Sequence, residues 1–159
     1  MGITGQRRRM TAVVGAVAVL TAGAAATGAG SATTGPIVFT ASLTAGQEAP
    51  HPARVIRGAS GSLRAVLTRT KKGYTMSWRI SFRGLSGKAK SAYIHRGLRG
   101  KYGPALFHLC SPCKTGAHGT AYASPSEVQM MTSGRTYANL RTVKNPTGEI
   151  RGQLATPKH

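Results

Sequence analysis

Two thiols and two imidazoles lie within one short stretch, at His108, Cys110, Cys113 and His118. Thiolate and imidazole are common ligands of zinc and copper, so this set is one candidate metal centre. Cys110 and Cys113 are also the only cysteines in the chain. An even number of cysteines in an exported protein points to a disulfide. A bridge across Cys110-Ser111-Pro112-Cys113 closes a very small loop, so it stiffens a turn and adds little to global stability. A redox-active CxxC normally opens a helix in a strand–helix–strand setting, and no such pattern surrounds this one. The disulfide is the expected state, the four-residue metal set is the alternative, and no cofactor is expected.

Carboxylates are scarcer still. The chain has Glu48, Glu127 and Glu149 and no aspartate. Glycoside hydrolysis needs two carboxylates across the scissile bond. Glu127 is claimed by a helix cap, described below, and nothing in the pattern brings Glu48 and Glu149 together. A Ser-His-Asp triad has no Asp to use, and no serine sits in a nucleophile motif. No catalytic residue is therefore expected. Glu149 and Arg151 flank Ile150 and share one face of a strand, where an ion pair or hydrogen-bond network would fix strand register. His95 is expected to be satisfied by a neighbour, with Glu149 as the candidate.

Against three acids stand 22 lysines and arginines, a formal net charge of +19. Such a surface attracts polyanions in a salt-dependent way. Outside a cell these are acidic wall polymers, anionic lipid head groups, acidic polysaccharides and extracellular nucleic acid. The densest cationic cluster, Arg96, Arg99 and Lys101, is the expected contact. Single-stranded nucleic acid asks for cations interleaved with stacking aromatics. Here the aromatics read as core, so nucleic acid is not the expected physiological ligand.

The elements that must position these residues follow a period of two. Ile37 to Leu43, Ala59 to Leu67 and, most clearly, Tyr74 to Phe82 alternate apolar with small, polar or basic residues. Further strands are expected at Ala89 to His95, Ala105 to Leu109, Gly116 to Ala123, Thr136 to Thr142 and Glu149 to Ala155. Thr70-Lys71-Lys72-Gly73 makes a hairpin turn, and Glu48 to Gly58 reads as a loop. Ser124-Pro125-Ser126-Glu127 is a capping box with proline at the first helical position, and Gly134 ends the helix. The expected fold is all-β: a Greek-key sandwich of about eight short strands with one short helix near residues 125–133.

Ahead of this domain, Arg7, Arg8 and Arg9 precede an uncharged Ala- and Val-rich run, and Gly30-Ser31-Ala32 offers small residues for cleavage. This reads as a secretory signal peptide over residues 1–32. The apolar run is too short and too rich in Ala and Gly for a spanning helix. A linker at 33–36, a β-sandwich domain at 37–155 and a tail at 156–159 complete the expected layout.

Ala45-Gly46-Gln47-Glu48-Ala49-Pro50, Gly84-Leu85, Ala92-Tyr93-Ile94-His95-Arg96-Gly97 and Gly134 to Thr142 occur in order, followed by Pro146-Thr147-Gly148-Glu149-Ile150-Arg151-Gly152-Gln153-Leu154. Together they resemble the CHRD domain, the repeat first named in chordin and found singly in exported bacterial proteins. The resemblance covers roughly Ile37 to Ala155. It implies an immunoglobulin-like or superoxide-dismutase-like sandwich and no known reaction. It also implies structural roles for Glu48, His95, Asn139, Thr142, Gly148, Glu149, Arg151, Gly152 and Gln153. The family often carries histidine where this chain has Tyr93 and Arg141; three imidazoles there would make a metal site, which Arg141 would repel. The functional expectation is a secreted or cell-envelope, non-catalytic binding module that contacts an anionic extracellular polymer or a protein partner. A metal-binding or dismutase-like exported protein, using the His108–His118 stretch, is the alternative.

Overall fold

The computed structural model describes residues 1–2, 35–52 and 57–155. Apart from residues 1–2, the signal-peptide reading lies outside the described residues, as does the tail at 156–159. Strands β1 (Ile37–Thr44), β2 (Ser60–Thr70), β3 (Gly73–Arg83), β4 (Ala89–Arg96), β5 (Ala105–Cys110), β6 (His118–Ala123), β7 (Thr136–Thr142) and β8 (Ile150–Gln153) surround one helix, α1 (Pro125–Thr132). A short 3₁₀ turn at Ala45–Gln47, which the sequence pattern did not single out, follows β1. None of the helices among the described residues is long and apolar enough to cross a membrane.

All strand pairs are antiparallel, in the order β5-β4-β7-β8-β1-β2-β3-β6. The sheet is nearly closed, a sandwich of two halves, β5-β4-β7-β8 and β1-β2-β3-β6. Three connections cross between the halves: β3 to β4, β5 to β6, and β6 to β7 through α1. The alternation read from the sequence sets the faces. Met76, Trp78 and Ile80 point inward with Leu63, Ala65 and Leu67 from β2. Ile94, Leu140 and Ile150 meet them from the other half. The β2–β3 hairpin closes at Thr70↔Gly73, as the turn residues predict. In α1 the Ser124 hydroxyl accepts from the Glu127 N–H (3.3 Å), and the Glu127 carboxylate accepts from the Ser124 N–H (2.8 Å). That is the expected capping box.

The halves meet at a narrow seam. β1 and β8 pair at the single rung Thr44↔Arg151, and the Ala155 N–H donates to the Thr40 carbonyl nearby (2.8 Å). Beside this rung the Gly152 backbone runs against Ser42, so a Cβ at position 152 would land on the Ser42 carbonyl. Gly152→Ala is expected to force the strands apart and cost about 1–3 kcal/mol, the range for overpacking a tight interior. A urea-unfolding midpoint equal to that of the parent would show that the seam tolerates separation.

Candidate functional site

On β4, β7 and β8 the residues of outward parity include His95, Tyr137, Asn139, Arg151 and Gln153. A sheet face turned from the core is ordinarily wet. Yet Tyr137 and His95 are each 1% exposed. The reason is a cover of two loops, residues 97–104 and the turn after β1. Such a cover must have its backbone polar groups satisfied, and the outward side chains do this. Arg151 donates to the carbonyls of Leu98 (2.8 Å) and Lys101 (3.0 Å). Gln153 donates to those of Gly97 (2.9 Å) and Gly134 (3.0 Å). The Tyr137 hydroxyl accepts from the Gly103 N–H (3.2 Å).

His95 Nδ1 lies 2.9 Å from the Gly103 carbonyl. A carbonyl only accepts, so Nδ1 carries the proton and Nε2 is the bare nitrogen. Burial holds the His95 pKa below the ordinary histidine value; the Gly103 bond opposes this, while Arg141 and Arg151 add to it. Its ring stacks on Tyr137 at 5.0 Å and 7°, and the Arg151 guanidinium sits 3.4 Å from the centre of the Tyr137 ring. Arginine, ring and imidazole thus form one column under the loop.

Arg96, Arg99 and Lys101 are exposed at the rim of this loop. Their backbone is fixed from below, and Arg99 is tied to Gln47 of the neighbouring turn (3.1 Å). Beside them a groove of about 720 Å³ opens toward α1, with Arg96 and Arg135 on its walls.

Glu48 is buried beneath the turn. Its carboxylate accepts from the Asn139 amide (2.7 Å) and the Ala49 N–H (3.3 Å), and Arg141 donates to the other end of Asn139 (3.3 Å). Gly148 backs this pair, with no room for a side chain. Burial raises the Glu48 pKa to about 7, against the pull of Ala49, Arg151, Asn139 and Arg141. Arg141 also lies over the Tyr93 ring (4.7 Å).

Glu149 corrects the expectation that it partners His95, and of the two roles expected for it takes the hydrogen-bond network. It is fully buried and accepts from the Ser86 N–H and hydroxyl, the Thr142 hydroxyl (2.6 Å) and the Asn145 amide (2.9 Å). Burial alone would raise its pKa, but these donors overcome it and hold the carboxyl below the ordinary value. The network ties the β3–β4 connection to the β7–β8 turn. Sequence reasoning missed Ser86 and Asn145, which carried only turn signals, and it left Tyr137 without a role. Exposed Tyr102 and Tyr122 depart from the reading of aromatics as core.

Cys110 and Cys113 form a disulfide. An oxidised pair offers no thiolate, so the alternative metal set reduces to His108 on β5 and His118 on β6. Among the described residues no group of three or more His, Cys, Asp or Glu side chains could hold a metal ion.

Two outcomes test the buried groups. The Glu48 pKa is raised on folding, so its contribution is largest below about 4.5 and is lost as pH rises through 7, by up to ~3 kcal/mol. His95 acts oppositely, losing stability as pH falls below the ordinary histidine range. Thermal melts of Glu48→Gln should lose the falling component between pH 4.5 and 7; a profile identical to the parent's would refute the raised pKa. Arg151→Lys keeps the charge but not the two-carbonyl reach. Amide exchange in residues 97–104 should accelerate, with a stability loss of roughly 2–4 kcal/mol.

The CHRD domain family matches residues 39–154. No curated protein and no solved structure matches the chain. The matched span runs from the second turn of alternation in β1 past the end of β8, taking in every strand and both loops that cover Arg151, and on that basis the chain belongs to the CHRD domain family.

Proposed function

We propose that this CHRD-domain protein is an exported, non-catalytic binding module that contacts an anionic extracellular polymer through the loop bearing Arg96, Arg99 and Lys101. One observation carries the reading. Of the three carboxylate side chains, Glu48 and Glu149 are buried, and Glu127, half-buried, is engaged in the α1 cap. The surface cations therefore face a single half-buried carboxylate side chain, and the potential they generate is available to a polyanion. The fixed backbone of residues 97–104 supports the loop as the contact, because an ordered loop loses little entropy on binding. Arg135 extends the cationic rim along the groove beside α1. Glu48 and Glu149 lie in separate networks, which supports a role without general acid–base chemistry. Export is supported by the leader-like residues 1–32.

The test uses protein purified from the medium of a secreting bacterial host. Binding to polygalacturonate should weaken steeply as salt rises. The combined variant Arg96→Gln, Arg99→Gln, Lys101→Gln should weaken it further and flatten the salt dependence. No binding at physiological ionic strength would overturn the proposal. Salt-insensitive, saturable capture of one protein would replace the polymer with a protein partner.

A further inference from the structure

The exposed face of β1-β2-β3-β6 carries a row of side chains across all four strands. Thr40 pairs with Arg64, Arg64 with Arg79, and Arg79 with His118. Arg64, Arg79 and His118 are exposed. Two arginines directly opposite each other on one sheet face repel, and such pairs weaken a sheet. None of the three carboxylates lies on these strands to relieve them. The neighbouring row is Ser42, Ser62 and Ser81, so short hydroxyls border the charges.

A groove of about 360 Å³ opens on this row, with Arg64, Arg79 and His118 on its walls and Ser77 and Thr120 beside them. Trp78 and Gly119, paired on β3 and β6, lie at its floor, the Trp78 ring itself turning into the core. Cations and hydroxyls in a shallow groove match a charged sugar. Stacked nucleobases would need a series of exposed rings.

This face looks away from the basic loop. In the sheet order β3 stands four places from β7, across the core, and the inward residues of both strands meet there. The outward side of β7 carries the loop with Arg96, Arg99 and Lys101. The two cationic surfaces therefore sit on opposite sides of the sandwich.

We propose that the β1-β2-β3-β6 face is a second binding surface, fitted to a linear acidic polysaccharide, and that with the basic loop it lets one molecule bridge two polymer chains. The proposal rests on the anionic-polymer reading above and goes beyond it in site, ligand class and valency.

Light scattering of polygalacturonate titrated with the exported protein tests it. Particle size should rise several-fold at intermediate ratios and fall again when protein is in excess, as two-site bridging requires. Arg64→Gln with Arg79→Gln should still bind polymer but abolish the size maximum. Arg64→Glu should do the same and raise the melting temperature, because it places a carboxylate opposite Arg79; this separates lost bridging from lost folding. An undiminished size maximum in both variants would overturn the second surface while leaving the basic-loop reading intact. Absence of any binding by the parent would overturn both. Equal bridging of single-stranded DNA, equally dependent on Arg64 and Arg79, would overturn the polysaccharide assignment.

Discussion

Arg151 is 1% exposed, on the strand that joins the two halves of the sandwich. Removing a permanent cation from water costs several kcal/mol unless other groups replace the lost hydration. Here the replacements are two loop carbonyls, the face of Tyr137 and the field of Glu48. Each ties Arg151 to something else. The carbonyls belong to the loop bearing the exposed cations. Tyr137 leads to His95, and His95 to Gly103. Glu48 leads through Asn139 to Arg141. Withdrawing the guanidinium would leave the Leu98 and Lys101 carbonyls without their donor and would remove one of the cations that face Glu48.

Carboxylates are used inside the fold in two different ways. Glu149 meets four donors and stays below its ordinary pKa, a fixed anion that holds two connections together. Glu48 meets fewer donors in a more costly setting and titrates near 7. Both uses take negative charge off the surface. The buried chemistry and the cationic exterior are thus two consequences of one composition: two of the three acids are spent inside the fold, and Glu127 alone stays half-exposed among the surface cations.

The C-terminal stretch Gly148 to Gln153 shows how densely such constraints can be packed. Gly148 leaves space for the Glu48–Asn139 pair, Glu149 gathers Ser86, Thr142 and Asn145, and Ile150 enters the core. Arg151 and Gln153 hold the 97–104 loop and Gly152 admits β1. Nearly every position is fixed by a contact of its own, so the stretch marks the fold.

Period-two alternation determined where the strands lie, and the capping residues determined α1. The cysteine pair anticipated the disulfide, and the ordered motifs anticipated the family. These are local signals: each is set by residues within a few positions of one another. The pattern put Arg151 and Ile150 on opposite faces of their strand, but it read the aromatics, Tyr137 among them, as core, and it could not show that two loops cover the face that Arg151 shares with Tyr137. Nor could it give Glu48 its partner 91 residues away, Arg151 its carbonyls some 50 residues away, or Glu149 its donor Ser86 at a separation of 63. Alternation reports which way a side chain points. What stands over it depends on how the crossing connections fold back, and that is decided only when the two halves of the sandwich close.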